Sequence, residues 1–463
     1  MPSQLSINIL SIFPIVTIEM YMLNTSEALL AGASLVGLYV LAVQYFRLQR
    51  CDRIESQFRR AGRPLSSMTV KEAHDIIRQL RELEFPFALR SSTRMTRLKL
   101  CATASVPTVT DLFVATGQRS EKNNTKRGAD TEVLMNEIRD REAGSDAHVM
   151  AFARMNYIHS RYRKAGKILD EDMLHALGSA VVDLFRLIEK YEWRDLTDVE
   201  KCAVGVFYRS MAEAIEIPFN LLPSGKAGFT DGFHFAQELC DFTVEYEKTA
   251  VKPTQSTFLI SRRLIDLETA NYPSILRPLV ERIYATRLDE HIRVSMGYRK
   301  PGILLSSLVA SLVAMRKYVL RYLSLPRPDF MVVTVLEAEP DPTTGRYAIK
   351  EWLDNPWYVK PTLLNRWGPK SWSVRLFGTG NVPTKNGPFR DEGYDIKAIG
   401  PQLMENKGQA DAEAIAENLG RKKSLLAVHS MRKDMMSTVI DWGLDDALQL
   451  TEGTITVLCC RIG

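Results

Sequence analysis

The residue whose surroundings most strongly suggest chemistry is His159, in the segment RMNYIHSRYRKAGKI (154–168). On a helix, His148, Phe152, Met155 and His159 lie on one side, because they are separated by three or four residues. An imidazole that projects from an apolar helical face into a cavity can hold haem iron as a single proximal ligand. The same spacing is typical of plain packing, so the pattern alone leaves both interpretations open.

A second candidate lies in the segment KRGADT (126–131), which precedes an apolar run. Arg127 and Thr131 are four residues apart, so on a helix they share a face and can point into one pocket. The alternative is ordinary helix initiation with Asp130 or Thr131 as the cap. Spacing alone does not decide between a pocket and a cap.

The sequence excludes several other classes of site. It contains no GxGxxG or GxxxxGK[ST] loop, no GxSxG elbow and no HExxH or HxxxH metal pair. The six cysteines lack zinc-site spacing and favour a reducing compartment with free thiols. The net charge of +5 is mild and no basic stripe with interleaved aromatics occurs, so no nucleic-acid partner is expected.

Amphipathic helices are the elements that must hold these side chains. Three consecutive helices are predicted between residues 147 and 214. The first ends near Gly166, the second begins at Asp170, and the third opens with a capping box from Thr197 to Glu200. Further helices are predicted at residues 68–83, 257–270, 274–287 and 304–323. The sequence therefore predicts a mainly α fold.

An uncharged apolar segment, Ala28 to Phe46, predicts a transmembrane helix. At about 1.5 Å per residue it covers roughly the thickness of a hydrocarbon core. Six arginines lie between Arg47 and Arg63, whereas residues 1–27 contain no Lys or Arg. The positive-inside rule then places residues 1–27 in the lumen as a short N-terminus and the rest of the chain in the cytosol. A weaker apolar stretch, residues 7–23, is interpreted as a second membrane-associated or re-entrant piece.

The character of the sequence changes after Pro326. The segment MVVTVLEAE (331–339) predicts a strand, and a stretch rich in Pro, Gly and Trp follows it. We therefore predict a helical body over residues 47–325. Residues 326–463 are predicted to form a small irregular, β-containing C-terminal appendage that packs on this body.

Several short motifs occur in a characteristic order along the soluble part of the chain. They are ATGQ (115–118), 126–135, 154–168, DML (172–174), RDLT (194–197), EKCA (200–203) and NPWY (355–358). In order and spacing this set resembles the latex-clearing rubber oxygenases. It resembles more closely the fungal endoplasmic-reticulum-bound oxygenases, typified by the one that shortens the farnesyl chain in mycophenolic acid biosynthesis.

The resemblance implies a helical bundle around haem b, with molecular oxygen as co-substrate. Carried over by position, His159 would be the proximal iron ligand, and Arg127 and Thr131 would lie in the distal pocket. Bacterial rubber-cleaving members carry a lysine that can coordinate the iron where this chain has Asp130. Because aspartate is a poor haem ligand, the distal side is expected to be open or water-bound. The family's glutamate base has no assignable counterpart in the divergent region 90–111.

The function that follows is a membrane-anchored, haem-dependent oxygenase that cleaves a C=C bond of an isoprenoid or similar hydrophobic metabolite in fungal secondary metabolism. The expected location is the endoplasmic reticulum membrane, with one span and a cytosolic catalytic domain. Other enzymes of the same pathway are candidate partners. Two alternatives remain open: a haem enzyme that hydroxylates or dehydrogenates a polyketide or meroterpenoid, and a non-catalytic membrane-tethered haem- or lipid-binding protein.

Overall fold

The computed structural model describes residues 25–100, 109–117, 120, 123–352 and 354–421, and it is mainly helical. The predicted lumenal N-terminus up to residue 24, including the apolar stretch 7–23, lies outside the described residues. The α-helices of the first half are α1 (Thr25–Glu55), α2 (Val70–Gln79), α3 (Pro86–Leu100), α4 (Val109–Ala115), α5 (Asn124–Asp140), α6 (Asp146–Lys164), α7 (Asp170–Tyr191) and α8 (Asp198–Ala214). Those of the second half are α9 (Gly232–Ala250), α10 (Gln255–Thr269), α11 (Arg277–Ala285), α12 (Glu290–Ser295), α13 (Ile303–Tyr318), α14 (Leu363–Trp367) and α15 (Pro369–Phe377).

Helix α1 contains the predicted membrane segment and extends beyond it toward the body. Leu29, Leu35 and Leu41 are exposed along that segment. Past residue 46 the same helix buries Cys51 and Ile54. The helix is thus largely exposed where the sequence predicts a bilayer, apart from the buried Val43, and it joins the core where the body begins.

The three helices predicted between residues 147 and 214 are confirmed as α6, α7 and α8. Gly166 has a φ of 63° just after α6, a conformation that a residue without Cβ adopts readily. Thr197 and Glu200 form the reciprocal capping box at the start of α8. The predicted mainly α fold with an apolar N-terminal helix is confirmed.

The core lies where α7 packs between α3 and α9, and where α8 packs against α2 and α9. Gly205 of α8 meets Gly232, where α9 begins, so closely that a Cβ on Gly205 would overlap the Gly232 carbonyl. Tyr358, Tyr394 and Ile399 belong to the same buried cluster as these helices. The chain after α13 therefore completes the core.

The predicted strand at residues 331–339 is wrong. Its residues form a 3-10 turn, Asp329–Met331, and then extended chain whose pairing is an isolated bridge between Leu336 and Ile349. The backbone N–H of Val333 donates instead to the carbonyl of Glu82 in the helical body, at 3.2 Å. The segment is extended because it docks on helices, and its partners are too irregular to build a sheet.

Two helical stretches among the described residues are long and apolar enough to cross a membrane, judged by length and composition. They are Leu29–Arg60 and Ile303–Leu323, where the second comprises α13 and the π-helical turn Val319–Leu323 that follows it. In each stretch an apolar window of 18 residues is almost entirely unburied, with 6% of it buried in the first and 0% in the second, whereas the end of the first stretch buries Cys51, Ile54 and Phe58. The apolar windows therefore largely lack a protein covering among the described residues.

Candidate functional site

A cavity of about 350 Å³ lies among α3, α5, α6, α7, α8 and the chain near residue 400. Its walls are mostly apolar and include Met135, Met155, Ile158, Leu177, Ala180 and Met211. His159, Arg127 and Thr131 all line this cavity. The structure therefore brings together the three site residues that the sequence singled out.

His159 projects from α6 into the cavity. His159 is partly exposed, and its side chain lines the cavity. Its Nδ1 atom is buried without a hydrogen-bond partner. Burial, followed by the charges of Arg127 and Arg163, lowers the pKa of His159 to about 4. The imidazole is therefore neutral at physiological pH, the form that binds a metal.

Arg127 and Thr131 lie one turn apart on α5 and contact each other. The Arg127 guanidinium donates to the Thr131 hydroxyl, which in turn donates to the Arg127 carbonyl at 2.8 Å. The guanidinium lies 5.8 Å from the centre of the Phe113 ring. Burial lowers the pKa of Arg127 below its ordinary value. Thr131 is mid-helix, so the interpretation of Asp130 or Thr131 as a helix cap is wrong.

Asp130 is held by protein groups at the edge of the cavity. Its carboxylate pairs with the Lys126 ammonium at 2.9 Å and accepts a hydrogen bond from the Tyr358 hydroxyl at 2.7 Å. Lys126 also pairs with Glu405, at 3.1 Å. Asp130 and Lys126 together thus tie α5 to two segments of the chain after α13.

Arginines are the cavity residues that sequence reasoning missed. Besides Arg127, the lining includes Arg81, Arg90, Arg94, Arg97 and Arg139. Arg90, Arg94 and Arg97 follow one another at spacings of four and three on α3, so a helical plot of residues 86–100 would have placed them on one face.

The partners of these arginines differ. The Arg90 guanidinium pairs with Glu351 at 2.9 Å, and its Nη2 atom is buried without a partner. Arg139 donates to the Thr93 hydroxyl at 2.9 Å and forms no ion pair with a described residue. The cavity therefore offers cationic donors that the described carboxylates leave incompletely paired.

Arg154 fixes one wall of the cavity. Its side chain is 0% exposed and donates to the carbonyls of Ile399 and Lys407, both at 2.6 Å, and of Ala398 and Met404. Gly400, between these acceptors, lines the cavity. One buried guanidinium on α6 thus positions the segment 398–407 against the helix that carries His159.

A buried polar cluster adjoins the cavity at His175. The His175 ring nitrogen Nε2 lies 3.1 Å from the Ser179 hydroxyl and 3.3 Å from a Glu247 carboxylate oxygen. Lys99 pairs with Glu247 at 3.0 Å and with Asp183 at 3.2 Å. The cluster fixes α3, α7 and α9 relative to one another.

No group of three His, Cys, Asp or Glu side chains among the described residues is arranged to hold a metal ion. His148, on the N-terminal half of α6, does not line the cavity. Its ring lies 5.6 Å from that of His74. Among the described residues, His159 is therefore not one member of a protein-built metal cage, and the other histidine that lines the cavity, His175, already contacts Ser179 and Glu247.

These features define a class: a mainly helical protein with an apolar N-terminal helix and an arginine-lined cavity into which the neutral His159 projects. No protein-family model matches the chain. It is 35% identical over 392 residues to the ER-bound oxygenase mpaB' of Penicillium brevicompactum, which covers 83% of this chain and 90% of the relative. It is 33% identical over 366 residues to the ER-bound oxygenase mpaB of the same species, covering 78% and 86%.

A third relative, the ER-bound oxygenase mpaB of Penicillium roqueforti, is 32% identical over 266 residues, which are 56% of this chain and 87% of the relative. The chain belongs to this family of ER-bound oxygenases. It is therefore an enzyme, an oxidoreductase with an oxygenase role in fungal metabolism.

Proposed function

We propose that this oxygenase binds haem b in the cavity, with His159 as the proximal iron ligand. The observation that carries the proposal is the neutral His159 imidazole, which lines the cavity and has a buried nitrogen without a partner. A single histidine with the other axial position free is one of the recurring ways in which proteins hold haem. When bound, the haem supplies the iron centre that activates molecular oxygen.

The cationic lining fits the two carboxylates that a haem b carries. Arg90 has an unpaired buried Nη2 atom, and Arg139 forms no ion pair with a described residue. Guanidinium groups bind carboxylates through paired N–H donors, and the bond is strongest where water is excluded. We assign the propionates to Arg90 and Arg139.

Arg127 and Thr131 would stabilise negative charge that develops on the oxygen co-substrate. Arg127 supplies the donors and Thr131 orients them, because the Thr131 hydroxyl accepts from the guanidinium and gives its single O–H to the Arg127 carbonyl. Preorganised donors in a dry site act strongly because no solvent has to reorganise. Asp130 is occupied by Lys126 and Tyr358, which leaves it no role as an iron ligand.

The proposed reaction is cleavage of a C=C bond in a farnesyl-type isoprenoid or a similar hydrophobic metabolite. The apolar walls formed by residues such as Met135, Ile158 and Met211 favour such a chain. One alkene and one dioxygen molecule give two carbonyl fragments, each with one oxygen atom, so no external reductant is consumed. Hydroxylation would instead require two electrons from a donor and would release water.

The proposed location is the endoplasmic reticulum membrane, with α1 as a single span and the body in the cytosol. The supporting observations are the ER-bound relatives and the exposed apolar surface of α1. Arg53, Arg59 and Arg60 are exposed beyond the span, as the positive-inside rule requires of cytosolic flanks. A hydrophobic substrate dissolved in the bilayer would then be concentrated near the enzyme.

The proposal is tested by the absorption spectrum of the full chain, purified in detergent and supplied with haem. We expect a Soret band in the wild type, its loss in His159→Ala, and its partial recovery when free imidazole fills the vacated space. The matched control is His234→Ala on α9, whose ring pairs with Glu238 away from the cavity and whose loss should leave the band intact.

A wild-type protein without haem, or a His159→Ala protein that binds haem as well as the wild type, would contradict the assignment. Reaction with isotopically labelled dioxygen then separates the two chemistries. Cleavage predicts two shorter carbonyl compounds that each carry one labelled atom, without an added electron donor. A hydroxylated product with its carbon skeleton intact would replace cleavage with hydroxylation.

A further inference from the structure

Helix α13 presents its apolar residues to the outside of the molecule. Its exposed side chains recur every three or four residues and continue into the following turn, forming what we call the α13 stripe: Leu304, Leu308, Leu312, Met315, Val319 and Tyr322. Leu304 is 88% exposed, and none of the residues of α13 is buried. Surface helices of soluble proteins turn such a stripe toward the core.

The charged side chains of α13 point the opposite way, into the protein. The Arg316 guanidinium pairs with the Glu192 carboxylate at 3.2 Å, and the Lys317 ammonium donates to the carbonyl of Glu189 at 2.8 Å. Val313 packs against the smaller of the two core clusters. Helices surrounded by lipid show this arrangement, in which the charged side chains face the protein and the leucines face outward.

The end of this stretch lies beside the predicted membrane segment of α1. The Tyr39 hydroxyl donates to the carbonyl of Leu323 at 2.9 Å, and Arg47 donates to the carbonyl of Leu325 at 3.3 Å. Tyr39 precedes the end of the predicted segment at Phe46 by about 10 Å of helix, at roughly 1.5 Å per residue. If α1 spans a bilayer, the end of the α13 stripe lies below the membrane surface.

The contacts of α13 also exclude a second crossing of the membrane. The stretch Ile303–Leu323 has the length and composition of a span, but Val313, Arg316 and Lys317 hold it against the body. A helix that crossed the bilayer would leave these contacts. The arrangement is that of a helix lying along the membrane surface with its apolar side in the acyl boundary.

The ends of the stretch carry groups that suit a lipid surface. Arg299 and Lys300 are exposed just before α13 and can approach anionic headgroups. Beyond the other end, Phe330 is 85% exposed, next to Asp329, whose carboxylate lies 3.4 Å from the Arg50 guanidinium on α1. The apolar surface therefore continues to the point where α1 meets the body.

We propose that the α13 stripe and Phe330 insert into one leaflet of the membrane that α1 spans. The occupant of this surface is lipid rather than a second copy of the chain, because the surface is continuous with the predicted span and flanked by basic residues. The body is then held against the bilayer at two places, α1 and α13. This contact does not depend on the cofactor or on the reaction proposed above.

Photocross-linking of the full chain in bilayer nanodiscs that contain anionic phospholipid tests the proposal. We place the photoreactive residue p-benzoylphenylalanine at position 308 or 312, where the exposed side chains tolerate replacement without repacking. Position 35 in α1 is the lipid-facing reference. Position 213 at the end of α8 is the solvent control, because the Glu213 side chain is half exposed and paired only with Arg209 on its own helix.

We expect phospholipid adducts at positions 308 and 312 that approach those at position 35 and exceed those at position 213 by roughly ten-fold, as for a helix sunk in the acyl boundary. Adducts at 308 and 312 no more abundant than at 213 would overturn the proposal. A covalent dimer formed from position 308 in place of lipid adducts would also overturn it, in favour of an interface between copies of the chain.

Discussion

The cavity and the α13 stripe reverse the arrangement usual in a soluble protein. Six arginines line the cavity, whereas leucines cover the outward surface of α13. Charged side chains are ordinarily exposed and leucines ordinarily buried. Each departure is explained by what we propose to lie next to it, an anionic prosthetic group inside and a lipid leaflet outside.

A second contrast, between α7 and α13, concerns two apolar helices that differ in burial. Both helices are apolar, but Leu174 and Val181 of α7 are completely buried between α3 and α9, whereas no residue of α13 is buried. The apolar content of a helix predicts that it needs an apolar environment. It does not say whether protein or lipid provides that environment.

The largest effect is expected where a single charged residue inside the protein fixes a cavity wall. Replacing Arg154 by Met removes the donor to the carbonyls of Ile399 and Lys407, whereas those of Ala398 and Met404 keep backbone donors. Buried carbonyls without donors cost about 1–3 kcal/mol each, so we expect about 4 kcal/mol of destabilisation with the cavity change included. Urea unfolding in detergent measures it.

Arg154→Lys is the control, since it keeps the charge and one donor group and should recover part of the loss. A loss of less than about 1 kcal/mol for Arg154→Met would be the size expected of a surface substitution. It would mean that other contacts hold the segment 398–407. Limited proteolysis within this segment reports directly on its release.

The next effect concerns the polar pair on α5. Arg127→Ala should lower turnover by about 10²–10³-fold, the usual consequence of removing one preorganised donor from a dry site. Haem content, measured by the Soret band, should stay that of the wild type. Loss of haem instead of turnover would place Arg127 among the residues that hold the cofactor.

The neutral state of His159 makes a prediction about acid stability. Because the pKa is lowered from 6.5 to about 4 in the folded protein, the unfolded state binds more protons between these pH values. The stabilisation is fully present above pH 6.5 and is lost as the pH falls toward 4, by about 3 kcal/mol at about 1.4 kcal/mol per pH unit.

Between pH 7 and pH 4 the free energy of unfolding should fall for both the cofactor-free wild type and His159→Gln. The fall should be larger for the wild type, by about 3 kcal/mol. The difference between the two proteins cancels the other groups that titrate in this range. Parallel pH profiles would show that the His159 ring is already accessible to water.

The smallest effect on stability is expected for a substitution on the outer surface of α13. A substitution in the buried helix α7 is the control for it. Leu174→Ala in α7 should cost about 2–5 kcal/mol, because it leaves a cavity in the core. Leu308→Ala in α13 should cost less than about 0.5 kcal/mol in detergent, as surface changes usually do. Comparable losses for the two variants would mean that α13 is covered by protein.

The sequence predicted the fold best where helix ends carry their own signals. Gly166 and the capping box at Thr197 act locally, so α6 and α8 begin or end close to where their residues indicate. The predicted strand at 331–339 failed because the segment docks on helices and its pairing with neighbouring chain is limited to the isolated bridge between Leu336 and Ile349.

The candidate site was predicted in part for the same reason. His159, Arg127 and Thr131 were found because each lies in a short motif, and the structure places all three on one cavity; their roles stay predictions. The Arg154 contacts could not be found, since their acceptors are backbone carbonyls some 250 residues away. The exposure of α13 could not be found either, because periodicity does not distinguish lipid from core.

The contact between Arg154 and Lys407 has a consequence for how the enzyme is made. The two residues are 253 positions apart, so at roughly 5–20 residues per second the ribosome needs about 13–50 s to add the second after the first. Throughout that interval the pocket that His159 faces lacks its last wall, while α1 has already been synthesised. Loading of the proposed prosthetic group into a finished pocket would therefore be a late event, on a chain whose apolar helix α1 was made long before.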